Sequence, residues 1–196
     1  MLFSGISMVI ARLIAGWGDA AVAVQKVGSQ IESISWMTAE GYAAALNSFV
    51  AQNHGAKNTD RIREGYRLSM IVMLSWGVFC SLVLIVFPQL IFQVFIQEAE
   101  VLPMGVDYLR ILGVSQLFMC MEITTAGAFS GLGKTLPPSI VSITLTGARI
   151  PMAILLGRWL GLNGVWWAIT ISSIGKGIVL LGWFLKDMKR AGMPER

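Results

Sequence analysis

Four ionisable side chains stand inside stretches of this sequence that are otherwise apolar. Glu40 and Glu122 supply carboxylates, while Arg149 and Lys176 supply cations. An ionised group in such surroundings is costly unless it pairs with an opposite charge, reaches water or is neutralised by a proton. One structural ion pair explains two of these residues but not all four. The pattern therefore favours a hydrated cavity whose carboxylates exchange protons or bind a cation, which is typical of a transporter.

A polar stripe on one segment extends this candidate cavity. At 100° per residue, one face of residues 22–51 collects Ser29, Glu32, Ser33, Trp36, Glu40 and Asn47. Glu32 has an alternative interpretation, because a residue near the end of its segment can simply meet water at the membrane surface. With two polar residues that accompany Glu122, the predicted cavity residues are Glu122, Glu40, Glu32, Asn47, Arg149, Lys176, Ser115 and Thr125.

Two later segments repeat this arrangement of polar side chains. Thr146 precedes Arg149 on the same helical face, and Lys176 shares a face with Ser172 and Ser173. Pro151 follows Arg149 closely, and a proline inside a helix predicts a kink or a carbonyl freed behind it.

The residue types needed for most catalytic chemistry are missing. His54 is the single histidine, which excludes sites built on paired histidines. The sequence contains no G-x-x-x-x-G-K-[ST] phosphate loop. Cys80 and Cys120 lie in apolar runs, which is typical of buried structural thiols rather than of a disulfide or metal site. We therefore predict no enzyme, no catalytic residue and no cofactor, apart from a coupling Na⁺ or H⁺.

The composition indicates that lipid is the solvent of this chain. Of its 196 residues, 55% are hydrophobic and 13% are charged, whereas soluble domains carry about 25% charged residues. About 20 apolar residues span a bilayer as a helix. An all-α membrane protein, a bundle of about six transmembrane helices, is therefore predicted from residues 2–16, 22–51, 66–87, 106–130, 139–160 and 165–185.

We predict that residues 1–185 form the helix bundle and that residues 186–196 form a basic cytoplasmic tail. The first segment is short and begins at Met1 without a polar lead-in, which predicts a helix truncated at its start. It lacks the basic flank and the small-residue cleavage site of a signal peptide.

The basic residues predict the orientation in the membrane. One side of the six-helix arrangement carries nine of the fifteen Lys and Arg residues, namely Lys57, Arg61, Arg63, Arg67, Lys134, Lys186, Lys189, Arg190 and Arg196. By the positive-inside rule this side faces the cytoplasm. We therefore expect a multi-pass inner-membrane protein with both termini cytoplasmic, and we do not interpret the net charge of +4 as a sign of nucleic-acid binding.

Three motifs, in order along the chain, resemble a known family. They begin with AVQKVGSQIESISWMTAEGYAAALNSFVAQNHGAKNTDRIREGYR (23–67) and QLFMCMEITTAGAFSGLGKT (116–135), and they end with SIVSITLTGARIPMAILLG (139–157). Together they look like the C-terminal half of a multidrug and toxic-compound extrusion (MATE) exporter. The resemblance implies one six-helix lobe of a twelve-helix MATE-like transporter, whose partner is a missing N-terminal lobe or a second copy.

The resemblance also implies a function and a role for one residue. MATE exporters move organic cations and similar drugs across the lipid membrane in exchange for Na⁺ or H⁺, by alternating access. In several members an acidic residue of the tenth helix helps to bind the coupling cation, and Glu122 matches that place in CMEITTAG. Some members also use an acid in the seventh helix, but residues 2–16 contain Arg12 and no acid. That part of the mechanism is not carried over.

Other functions compete with drug export. A lipid-linked oligosaccharide flippase of the same superfamily would show a similar helix pattern, although a cationic cavity suits its phosphate-bearing substrates better than Glu32, Glu40 and Glu122 do. A non-transporting membrane scaffold would use the buried charges only for packing. An intramembrane hydrolase is disfavoured, because the sequence shows no nucleophile and base arrangement.

Overall fold

The computed structural model of the chain describes residues 2–96, 98 and 100–191. The described residues form helices joined by short connections and contain no β-strand, which confirms the predicted all-α fold. In chain order the helices are α1 Leu2–Ala15, α2 Asp19–Gly55, α3 Thr59–Val86, α4 Pro88–Gln93, α5 Leu102–Gly113, α6 Gln116–Gly131, α7 Leu136–Gly147, α8 Arg149–Leu160 and α9 Leu162–Ala191.

Each of the six predicted segments coincides with helix, but two of them are interrupted. The segment predicted over 106–130 consists of α5 and α6, which meet at a bend of 45°. The segment predicted over 139–160 consists of α7 and α8, which are separated at Ala148. Pro151 lies just after this break and has no N–H to donate to the carbonyl of Gly147, so the predicted effect of the proline is found at the predicted place.

Several helices have the length and composition of membrane spans. Within the described residues, α3, the α7–α8 span and α9 are long and apolar enough to cross a bilayer individually, and the bent α5–α6 pair makes a fourth. The 37 residues of α2 reach about 55 Å at 1.5 Å per residue, but this helix is more polar. The apolar part of α1 is shorter, Gly5–Ala15. The chain is a multi-pass membrane protein.

The middle of the bundle is α6, which packs between α2, α3 and α9. Glycines on α6 and α9 allow the helix backbones to approach each other this closely. A Cβ atom on Gly127 would lie 2.7 Å from the carbonyl oxygen of Ala43, and one on Gly131 would lie 2.6 Å from the carbonyl oxygen of Asn47. On α9, a Cβ atom on Gly177 would lie 2.6 Å from the carbonyl oxygen of Phe118. Small residues that let helix backbones approach this closely are the usual means of helix association in membranes.

The predicted basic side of the bundle is held together by contacts between its connections. Lys134, between α6 and α7, forms an ion pair of 2.7 Å with Asp187 of α9. Arg63 of α3 donates a hydrogen bond to the carbonyl of Met188. Because α9 runs on to Ala191, the structure has no boundary after residue 185, and the first residues of the predicted tail belong to the bundle. Arg196 lies outside the described residues.

We expect Gly127→Ala to destabilise the bundle, because the new Cβ atom would force α2 and α6 apart. Overpacking of this kind costs about 1–3 kcal/mol. Thermal unfolding of the purified protein in detergent should show a lower midpoint. Gly41→Ala is the matched control on α2, since nothing lies within 4 Å of its Cβ position, and an equal loss of stability in both variants would contradict the proposed contact.

Candidate functional site

A buried ion pair joins the two central helices. The ammonium nitrogen of Lys176 on α9 lies 3.0 Å from a carboxylate oxygen of Glu122 on α6, and the two side chains are 11% and 15% exposed. The neighbouring Gly177 allows α9 to approach α6 at this level. The structure therefore brings together two of the four ionisable residues that the sequence singled out, and it gives Glu122 a basic partner.

Arg149 occupies the first position of α8, directly after the break in the span. Its guanidinium donates hydrogen bonds to the hydroxyls of Ser172 and Ser173 on α9, the second over 3.0 Å. Both hydroxyls lie about one turn before Lys176. The charge of Arg149 interacts with both Glu122 and Glu32, but its direct partners among the described residues are neutral. Arg149 is thus a cation held by hydroxyls, between two carboxylates.

Glu32 has a different set of partners, and none of its hydrogen bonds within the described residues comes from a charged group. The side-chain amide of Gln116 donates to one carboxylate oxygen over 2.9 Å. The hydroxyl of Tyr108 donates to the other over 3.4 Å. Gln116 is 1% exposed and Tyr108 is equally buried, whereas Glu32 itself is half-buried. Its carboxylate is therefore held by two buried donors.

A polar cavity of about 190 Å³ connects Glu32 with Arg149. It lies where α1, α2, α5, α7, α8 and α9 meet, and its lining combines apolar residues with the hydroxyls of Ser7, Ser29 and Thr146. An acid, a base and several hydroxyls thus line one space, contributed by six helices.

The remaining predicted cavity residues lie elsewhere. Ser115 donates to the carbonyl of Leu112 at the α5–α6 bend. Thr125 is fully buried, donates to the carbonyl of Met121 and shares a 2.9 Å hydrogen bond with Tyr66 of α3. These two hydroxyls are engaged in internal bonds, so the structure does not bring them to the cavity.

Two residues of the predicted stripe on α2 also lie apart from the buried charges. Asn47 is half-buried at the crossing with α6, where its carbonyl lies under Gly131. Glu40 is exposed on the surface of this lobe and forms no ion pair among the described residues. The stripe therefore divides, with Ser29 and Glu32 at the cavity and Glu40 outside it.

Sequence reasoning missed Tyr108 and Gln116, the two residues that hold Glu32. Each is a single polar tip in a mostly apolar stretch, which was the available signal. It also missed Gln25, whose side-chain oxygen accepts a hydrogen bond from the indole of Trp166 over 3.1 Å. In the described part of the chain, no three His, Cys, Asp or Glu side chains come together as a metal-binding group, and Cys80 and Cys120 are unpaired thiols there.

Comparison with known proteins gives one family. The MatE family profile matches residues 1–155. A probable multidrug resistance protein NorM from Thermotoga maritima is 29% identical over 199 residues, covering 97% of this chain and 42% of that protein. Human multidrug and toxin extrusion protein 1 is 22% identical over 172 residues, covering 86% of this chain and 30% of the human protein. The chain spans less than half the length of these relatives.

Solved structures share the fold. An inward-facing multidrug resistance MATE family transporter of the MOP superfamily superimposes with a TM-score of 0.90 at 19% identity, over 100% of this chain and 46% of that one. An outward-facing MATE family transporter of the same superfamily also gives a TM-score of 0.90 at 19% identity, over 98% of this chain and 44% of that one.

We expect Lys176→Met to destabilise the protein, because it leaves the Glu122 carboxylate buried without its partner. Breaking a buried pair costs about 3–5 kcal/mol, so thermal unfolding in detergent should begin at a clearly lower temperature. The double variant Glu122→Gln with Lys176→Met should recover most of the loss. Lys134→Met serves as the control, since exposed pairs contribute about 0–1 kcal/mol; similar losses from both lysines would contradict the buried pairing.

Proposed function

This chain belongs to the MatE family, and we propose that it forms one lobe of a cation-coupled antiporter that exports organic cations by alternating access. The observation that carries the proposal is the convergence of two acids and two bases inside a membrane bundle. Glu122 pairs with Lys176 between α6 and α9, while Glu32 and Arg149 line one polar cavity. Charges retained at this depth mark ion and substrate pathways more often than structural contacts.

Charge balance supports coupling to a cation. With all four groups ionised, the two carboxylates offset the two cations. A proton or Na⁺ that neutralises either acid leaves an uncompensated base in a medium of low dielectric, where such an imbalance is costly. The lobe can lower that cost by rearranging, which links cation binding to a change of conformation. This argument applies to Na⁺ and H⁺ alike.

The similarity to two transporter states supports a lobe that moves as a unit. The inward-facing and the outward-facing structures match this chain with the same TM-score of 0.90, so the fold of the lobe is similar in both. In a rocking mechanism the lobes keep their shape while the cavity between them changes sides. The opposite wall of the cavity then comes from a second lobe, either the N-terminal half of a longer chain or a second copy.

Glu40 supports a preference for organic cations. Its carboxylate is exposed on this lobe, and in our proposal it belongs to the wall that faces the second lobe. An exposed acid on the wall of a membrane cavity attracts cationic drugs and repels the phosphate groups of a lipid-linked sugar. Substrates that partition into membrane lipid would reach such a wall readily.

We expect the variant carrying both Glu32→Gln and Glu122→Gln to lose gradient-driven export, because the positive charges of Arg149 and Lys176 would have no carboxylate to offset them inside the bundle. Transport of the fluorescent cation ethidium should be measured in proteoliposomes under an imposed Na⁺ or H⁺ gradient, with at least a tenfold loss of rate. Glu64→Gln, which changes an exposed acid on α3, is the control. Wild-type rates in the double variant, or no gradient-driven transport by the unmodified lobe assembled with its second lobe, would refute cation-coupled export.

We also expect the basic end of the bundle to face the cytoplasm, as in an inner-membrane protein with both termini inside. In a background with Cys80 and Cys120 replaced by alanine, single cysteines at Asn58 and Glu98 should be labelled from opposite sides. Asn58 precedes α3 at the basic end, and Glu98 lies between α4 and α5. Labelling of both positions from the same side of the membrane would contradict this topology.

A further inference from the structure

The two buried carboxylates differ in the kind of partner that holds them. Glu122 lies 3.0 Å from the ammonium group of Lys176, so its negative charge is already compensated at contact distance. Glu32 accepts its hydrogen bonds from the neutral groups Tyr108 and Gln116. A carboxylate with a direct cationic partner is stabilised in its charged form, whereas one held by neutral donors in a buried site has a smaller preference between its two forms.

The partners of Glu32 suit a carboxyl group in either protonation state. A tyrosine hydroxyl can both donate and accept. The Tyr108 hydroxyl donates to the carboxylate, and after protonation it can accept the new O–H of Glu32 with little movement. The Gln116 amide can donate to the other oxygen in both states. The oxygen of that amide has no partner among the described residues, so Glu32 alone fixes the orientation of the amide.

Water can reach this carboxyl group through the cavity. The space of about 190 Å³ beside Glu32 is lined by the hydroxyls of Ser7, Ser29 and Thr146. A water molecule takes about 30 Å³ of liquid, so several fit, with polar groups to bind them. A hydronium ion there can transfer its proton to a Glu32 oxygen and leave a neutral water molecule behind.

The charged groups around Glu32 connect it to the second carboxylate. From α5 the facing titratable group is Tyr108, and from the start of α8 it is Arg149, whereas α1, α7 and α9 contribute Ser7, Thr146 and Ile169 to the same lining. Arg149 interacts with Glu32 and with Glu122. Protonation of Glu32 removes one of these two attractions, and the attraction of Arg149 to Glu122 then dominates.

A metal cation fits this site less well than a proton does. Hard cations require several oxygen ligands at once, but Gln116 presents its N–H group to Glu32 and Arg149 adds a positive charge nearby. Binding a metal ion would require the amide to turn and the guanidinium to withdraw. Protonation needs only the Tyr108 hydroxyl to rotate.

We propose that Glu32, held by Tyr108 and Gln116 and facing Arg149 across the cavity, is the carboxyl group that takes up and releases the coupling proton, while Glu122 remains paired with Lys176. The assignment rests on the proposed cation-coupled function. In this assignment Arg149 is a positioning residue. Its attraction to the Glu122–Lys176 pair depends on whether Glu32 is protonated.

The test is infrared difference spectroscopy of the protein in liposomes, taken between an acidic and an alkaline buffer. The carbonyl stretch of a protonated carboxylic acid is separate from that of a carboxylate, so the titrating group appears as a band. This band should be lost in Glu32→Gln and retained in the matched variant Glu122→Gln. In Tyr108→Phe it should persist at a shifted frequency, because the O–H of the protonated acid loses its hydrogen-bond acceptor.

Each other outcome overturns the assignment. A band that survives Glu32→Gln or disappears in Glu122→Gln places the exchangeable proton elsewhere. Loss of the band when Na⁺ replaces K⁺ at constant pH would identify a metal-ion site. If Glu32→Gln fails to fold, an unshifted band in Tyr108→Phe is sufficient to reject the site. The spectra require no transport, so absent export with a Glu32-dependent band would refute the proposed function and leave the proton site standing.

Discussion

A charge placed inside a membrane bundle must be compensated there, because lipid offers no solvent for it. The Glu122–Lys176 pair meets this constraint at the contact between α6 and α9, and much of the surrounding structure depends on it. Gly177 allows the two helices to approach closely enough for the pair to form. Ser172 and Ser173 satisfy a second cation, Arg149, one turn away on the same helix. The packing of small residues and the placement of charges are therefore parts of one arrangement.

The helices could be predicted from the sequence because apolar length alone indicates a membrane span. What the sequence did not reveal was the interruption at the α5–α6 bend, where residues 113–116 (Gly-Val-Ser-Gln) carry no proline to mark it. Pro151, by contrast, correctly predicted the break that precedes it. The end of α9 was placed too early, since Lys186 and its neighbours read as a polar tail. Their helix continues to Ala191 and is contacted by Lys134 and Arg63, and such contacts between distant residues are not visible in a local pattern.

The acids and bases of the candidate site could be found from the sequence, since an ionisable residue in an apolar run is conspicuous. Their pairing could not. Helical periodicity places Glu122 and Lys176 on faces of their own helices, but only the packing of α6 against α9 brings those faces together. Ser115 and Thr125 were predicted to line the cavity and do not. Each hydroxyl donates a hydrogen bond to a nearby backbone carbonyl and so needs no partner in a cavity. Tyr108 and Gln116 were overlooked because neither carries a charge, and only the packing of α5 and α6 against α2 brings them to Glu32.

The reversal between α8 and α9 has a mechanical consequence. Only Gly161 separates the two helices, with a φ of 62°, and Gly164 lies directly against the carbonyl of Leu156. One end of α8 is thus anchored, while its other end stops at the break beside Ala148. The 12 residues of α8 make a strut about 18 Å long, so a tilt of about 10° around the anchored turn displaces Arg149 by about 3 Å. That displacement is about the length of a hydrogen bond. A tilt of α8 would therefore let the Arg149 guanidinium exchange one hydrogen-bond partner for another while the neighbouring helices stay in place.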